Sequence, residues 1–229
     1  MGAIGFVKDP YGRVCADVNQ DECVDCGVCF RADICTGKAL FEPAPVWPRS
    51  VRGTFSNPLI EHKETRVPGR GTEEMKTNDV TGRFKTGEAG MAIEMGRPGT
   101  GAFFRDIEKV AMAIASLGEI HFEPKNPITT LMVDQNSGKM NPELMNEKVL
   151  SAIIEMTVPL ERVQEIIGAV KEVTREISTV CSFDLTCKVH PGDETPAFDL
   201  AGEAGVASTP NGKTNVGLGR PFFVEEATR

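Results

Sequence analysis

No apolar run in this sequence approaches the roughly 20 residues that a membrane-crossing helix needs. Its first residues, MGAIGFVKDPYGR, hold no apolar stretch of the kind a secretory leader carries. Gly2 is not followed by the serine or threonine of a myristoylation site. The expected location is therefore the cytoplasm, without membrane association. Basic residues are outnumbered, 25 Lys and Arg against 33 Asp and Glu, for a net charge of −8. That balance argues against a general binder of nucleic acid or anionic membranes, both of which demand a surplus of positive charge. Histidine is scarce: His62, His121 and His190 show no pairing at metal-ligand spacing and are expected to be structural or exposed. What remains is ordinary for a folded protein, with 40% hydrophobic and 25% charged residues. A chain of 229 residues suffices for one large domain, or a small module beside a medium one.

Cysteine is the exception to this plainness. There are seven, at 15, 23, 26, 29, 35, 181 and 187, and five of them fall within positions 15–35. An odd number, tightly clustered and without a leader, does not read as a secreted disulfide framework. In a reducing cytosol such a cluster points to metal ligation. The segment Asp21–Cys35, DECVDCGVCFRADIC, places Cys23, Cys26 and Cys29 at C-x₂-C-x₂-C spacing. A loop with that spacing wraps a cubane so that three thiolates converge on one [4Fe–4S] cluster. Gly27 permits a close backbone approach, and loop amides can point at the sulfurs and tune the potential. The nearest fourth ligand is Cys35, with five residues between it and Cys29 rather than the three of bacterial ferredoxins, and with no proline after it. Cys15 is the next candidate; a non-cysteine ligand or an open iron site is the third. Zinc also favours thiolates, but structural zinc sites usually pair two separated C-x₂-C knuckles. Cys181 and Cys187 share one face of an expected strand and read as core residues, a second redox or metal site being the alternative.

The remaining chain divides by pattern. Residues 1–42 form the cysteine module. Residues 43–88 are rich in Pro, Gly, Thr and charge and are expected to be an irregular connecting segment. Residues 89–190 are well patterned, and residues 191–229 read as a polar tail. Within 89–190, strands are expected at 89–95, 119–123, 129–134, 149–158 and 179–189. Helices are expected at 103–117, from Phe103, Ile107, Val110, Ile114 and Leu117, and from Pro159 onward, from Leu160, Val163, Ile166, Ile167, Val170, Val173 and Ile177. The second of these strands and helices are followed by strict alternation at Cys181, Phe183, Leu185, Cys187 and Val189. The order strand, helix, strand, strand, helix, strand predicts an α+β fold. It comprises a small N-terminal iron–sulfur module and a split-βαβ sandwich of ferredoxin-like topology, an antiparallel sheet with two helices on one face.

Two Gly- and Arg-bearing segments are candidate anion or substrate contacts. GRPGTG, with Arg97, Gly99 and Gly101, is expected to open a helix, where free N–H groups and the helix dipole favour anions. It lacks the P-loop lysine, and a plain turn is the alternative. Arg66, Arg70, Lys76 and Arg83 stand among glycines without apolar periodicity. They suit carboxylate contacts or a solvated loop.

Residues 14–36 resemble ferredoxin-type [4Fe–4S] domains. ETRVPGRGTEEMKTNDVTGRF together with IEMGRPGTGAFFRDIEKV resembles the N-terminal half of the 6-hydroxynicotinate reductase family, over roughly residues 10–220. That resemblance implies low-potential reduction of a hydroxylated pyridine ring by iron–sulfur and flavin centres. Members of the family run on into a further C-terminal domain whereas this chain stops at Arg229, so the resemblance does not carry a flavin or a complete active site over to it; one subunit of a split enzyme and a free-standing relative are the two expectations. The expected function is an iron–sulfur electron-transfer component of an oxidoreductase. Its implied partners are an electron donor such as ferredoxin and a second subunit or another copy of the chain. The alternative is a non-catalytic redox-sensing or small-molecule-binding module with a structural cluster.

Overall fold

The computed structural model describes residues 2–42, 44, 46–69, 85–97, 99–192 and 194–207. It is a mixed α+β protein with antiparallel sheets. Ten strands, six α-helices and three short 3-10 helices occur among the described residues. A hairpin of β1 (Ile4–Lys8) and β2 (Val14–Val18) opens the chain. The one-turn helix α1 (Val28–Arg31) lies in the cysteine loop, and α2 (Ser50–Ser56) follows. Then come β3 (Glu88–Met95), β4 (Ala102–Phe103), α3 (Phe104–Ala115), β5 (His121–Phe122), α4 (Pro127–Thr130), β6 (Met132–Asp134), β7 (Lys139–Met140), β8 (Lys148–Val149), β9 (Ala152–Pro159), α5 (Val163–Val173), β10 (Cys181–Cys187) and α6 (Pro196–Glu203).

The main sheet has the order β10–β3–β9–β5, each neighbour antiparallel. Strand side chains alternate between faces, so the register decides which apolar sets meet. Met91 pairs with Met156 and Ile93 with Ile154; on the other side Phe183 pairs with Ile93 and Leu185 with Met91. These residues of the three long strands thereby face one core, while Ala92 and Ile153 are buried in a separate small cluster. The helices complete it: Phe104, Ile107, Val110, Ala111 and Ile114 of α3 and Val163, Ile166, Ile167 and Val170 of α5 are buried in the same cluster. A one-residue slip of β9 would turn Ile154 and Met156 out of this core.

Four local expectations are corrected. The strand expected over 149–158 is two strands. Leu150 N–H donates to Ser56 Oγ at 2.8 Å, and Val149 pairs with Ala102 of β4, while pairing with β3 begins at Ala152. The stretch expected as a strand from Thr129 starts as the short helix α4, because Asn126 accepts from Ile128 N–H at 2.8 Å and Pro127 stands at the first position. The connecting segment contains α2, whose Val51 and Phe55, one turn apart, enter the main core. The tail contains α6, with Ala197 and Ala201 buried in that core and Lys171 Nζ donating to the Ala204 carbonyl at 3.0 Å. Residues 43, 45 and 70–84 of the connecting segment, and 193 and 208–229 of the tail, lie outside the described residues. No helix among the described residues is long and apolar enough to cross a membrane.

Of the three histidines, His62 is buried at 2% exposure. Its ring stands edge-on to Phe55 with centroids 4.6 Å apart, and Nε2 donates to the Gly69 carbonyl at 2.8 Å. Burial pushes its pKa below the ordinary 6.5, against the opposing pull of the Gly69 carbonyl and Glu64. The unfolded chain therefore takes up the proton first, so the neutral ring's contribution is complete above about pH 6.5 and is lost as pH falls below it. Urea unfolding of the wild type and His62→Phe across about pH 7.5 to 5 should show the wild type losing stability relative to the variant on acidification. A difference independent of pH would contradict this.

Candidate functional site

The cysteine loop is shaped by backbone conformations that most residues avoid. Asp25, Asp33 and Lys38 have φ of 53°, 46° and 47°, and Gly27 has φ 69°. Left-handed residues reverse the chain within a few positions. At Gly27 a Cβ would meet only movable side-chain ends, Arg31 Nη1 at 2.8 Å and Asn57 Nδ2 at 3.1 Å, so it is the left-handed φ that favours glycine there. Cys23, Cys26, Cys29 and Cys35 are half-buried free thiols, whereas Cys15 on β2 is exposed.

Cys29 and Cys35 line one cleft of about 130 Å³ with Phe30, Asp33, Lys38 and Leu40. Cys35 Sγ accepts the Ala39 N–H at 3.3 Å. That bond, and further backbone N–H groups of Gly37, Leu40 and Lys38, hold the Cys35 thiol below its ordinary pKa. Amides aimed at a sulfur favour its thiolate, the form that ligates metal. Cys23 differs: burial pushes its pKa up, and its thiol donates to Asp25 Oδ1 at 3.3 Å. The donor set, free thiols on a loop that directs amides at sulfur, suits iron–sulfur ligation. The geometry joins Cys29 to Cys35, while Cys23 and Cys26 do not line that cleft. Among the described residues no three His, Cys, Asp or Glu side chains are gathered as a metal-holding group.

Helix α2 and its N-cap bind this loop to the main sheet's domain. Arg52 is 5% exposed and pairs with Glu147. Its Nη1 donates to the carbonyls of Gln20 at 2.7 Å and Cys23 at 2.8 Å. The Glu147 carbonyl in turn accepts the Phe104 N–H at 3.0 Å, at the first residue of α3. Arg49 grips Asp25 with two bonds, Nη2 to Oδ1 at 2.9 Å and Nε to Oδ2 at 3.0 Å. Lys148 Nζ donates to Glu22 Oε2 at 2.5 Å, and this bond holds the Glu22 carboxyl below its usual range. Neither arginine is singled out by sequence reasoning. The available signal is the spacing of Arg49 and Arg52, three apart and therefore on one helical face, with the apolar pair Val51 and Phe55 behind them.

Cys181 and Cys187 sit half-buried on β10 against the main core, as their alternation suggests, and burial pushes the Cys181 thiol up. The glycine-rich turn does not open a helix directly, since β4 stands between it and α3. The Thr100 and Gly101 N–H groups donate to the Gly96 carbonyl at 3.1 and 3.0 Å, and Thr179 Oγ1 donates to the Gly101 carbonyl at 2.5 Å. Gly99 has φ 62°, and Arg97 is half-exposed with Nη1 3.8 Å from Glu94. Arg66, at φ 61°, donates its N–H to the His62 carbonyl at 2.9 Å. Arg70, Lys76 and Arg83 lie outside the described residues.

Removing one partner of a buried ion pair strands the other charge, so Arg52→Met should cost about 3–5 kcal/mol in urea unfolding. Arg52→Met with Glu147→Leu should recover part of that loss, because no carboxylate is then stranded. A single variant costing under about 1 kcal/mol, or a double variant worse than the single, would contradict a buried clamp. No family model matches this chain, and neither a curated protein nor a solved structure matches it.

Proposed function

We propose that the chain carries one [4Fe–4S] cluster on Cys23, Cys26, Cys29 and Cys35 and serves as the electron-transfer component of a cytoplasmic oxidoreductase. The observation that carries this reading is the amide-lined Cys35 sulfur sharing a cleft with Cys29, the end of the C-x₂-C-x₂-C run. It favours Cys35 over the exposed Cys15 as the fourth ligand. A cluster of this kind supplies one electron at a time at low potential. The chain's own residues wrap the loop through left-handed turns, direct N–H groups at sulfur and anchor the loop through Arg52. The β10–β3–β9–β5 order, with α3 and α5 joining its strands, supports a split-βαβ domain of ferredoxin-like topology as the body on which the module sits.

The substrate class is an N-heteroaromatic acid such as 6-hydroxynicotinate, on the strength of the sequence resemblance. A ferredoxin is the natural electron donor, and a partner subunit or second copy completes the reaction centre; nothing in the described residues argues for a flavin on this chain. Cys26→Ser and Cys35→Ser should each abolish the visible absorbance of the anaerobically purified protein, while Cys15→Ser should retain it. In an anaerobic extract that supplies the partner subunit, 6-hydroxynicotinate should reoxidise the dithionite-bleached wild type. Full absorbance in Cys26→Ser would overturn the cluster assignment, and no reoxidation in that extract by any hydroxylated pyridine acid would overturn the substrate class.

A further inference from the structure

A pair of opposite charges stands directly beside one proposed ligand sulfur. The Asp25 carboxylate lies 3.3 Å from Cys23 Sγ, accepting the thiol's hydrogen bond. Asp25 holds this position with a left-handed φ of 53°, a conformation that aspartate tolerates better than most residues. Arg49 meets the same carboxylate with a two-point fork, at 2.9 and 3.0 Å, and its Nη1 reaches the Gln20 carbonyl at 3.3 Å. The Arg49 and Asp25 side chains are 29% and 25% exposed, so solvent screens them incompletely. When Cys23 binds iron its proton is gone, and the hydrogen bond to Asp25 goes with it. A carboxylate is then left against a thiolate, a repulsion that the Arg49 guanidinium offsets.

Resting on the cluster reading above, we propose that Asp25 and Arg49 are a potential-setting pair for the cluster on Cys23. Asp25 lowers its midpoint and Arg49 raises it. Reduction adds one electron to the cluster and breaks no bond, so the reduced state carries one more negative charge. A nearby carboxylate disfavours that state and a nearby guanidinium favours it. The two fixed charges oppose each other, and removing either one exposes the other. A residue that merely braced the loop would alter cluster content or stability without moving the midpoint in a direction set by its charge.

The test is an EPR-monitored redox titration of the full chain, with dithionite as reductant and iron content measured in every sample. Asp25→Asn should shift the midpoint upward and Arg49→Gln should shift it downward. Arg49→Lys should restore most of the shift, and Asp25→Asn with Arg49→Gln should return close to the wild type. Arg175→Gln, which removes a positive charge from an exposed pair with Glu172, should leave the midpoint where it was. Unshifted midpoints in Asp25→Asn and Arg49→Gln at full iron content would overturn the proposal, as would shifts of the same sign. If Arg49→Gln fails to hold iron, Asp25→Asn decides: an upward shift supports the pair and an unchanged midpoint overturns it. Wild-type protein without iron would overturn the cluster reading itself, and this pair's function with it.

Discussion

The buried guanidinium of Arg52 is the constraint on which the arrangement depends. A charge at 5% exposure must find a counter-charge and hydrogen-bond acceptors or unfold the region around it. Arg52 finds both in two different parts of the chain, Glu147 before β8 and the carbonyls of Gln20 and Cys23 at the entry to the cysteine loop. The loop buries little of its own beyond Val24, at 4% exposure. Its helix α1 is one turn long with no buried residue, and the β1–β2 hairpin beside it is exposed along nearly its whole length. The position of Cys23 therefore follows from α2, and α2 in turn is fixed by Val51 and Phe55 in the main core.

The loop's own chemistry is uneven in a way that bears on ligation. Backbone N–H groups pull the Cys35 thiol down, while burial pushes the Cys23 thiol up. Deprotonation is thus easier at Cys35, in the cleft shared with Cys29, than at the more buried Cys23. A metal at the proposed Cys29–Cys35 end of the site would meet a sulfur that gives up its proton more readily than an ordinary thiol. Closing the set requires Cys23 and Cys26 to join it, and left-handed Asp25 and Gly27 lie between and beside those two residues.

Long periodic elements were legible in the sequence because their burial pattern is local. The alternation from Cys181 to Cys187 and the apolar stripe of Val163, Ile166, Ile167 and Val170 each follow from one face meeting one core. Helix α2 escaped notice because seven residues flanked by prolines, with Gly53 inside, carry only one apolar i, i+4 pair. Helix α6 escaped because its buried face is alanine, at 197 and 201, which adds little hydrophobic contrast. The clamp was beyond sequence reasoning for a different reason. Arg52 and Glu147 are 95 positions apart, and Lys148 and Glu22 are 126 apart. No local pattern marks which of many charged residues will be buried together. The cysteine spacing was plain in the sequence, whereas the amides on Cys35 and the Asp25–Arg49 pair appear only when the loop is folded.

The central claim is that this loop holds one redox-active iron–sulfur cluster. The most direct measurement is iron and acid-labile sulfide analysis of anaerobically prepared protein, with EPR of the dithionite-reduced sample. The account predicts about four irons and about four sulfides per chain, with the low-temperature signal of a reduced cubane. Zinc in place of iron, with no signal on reduction, would contradict it and leave a structural zinc module on an α+β domain.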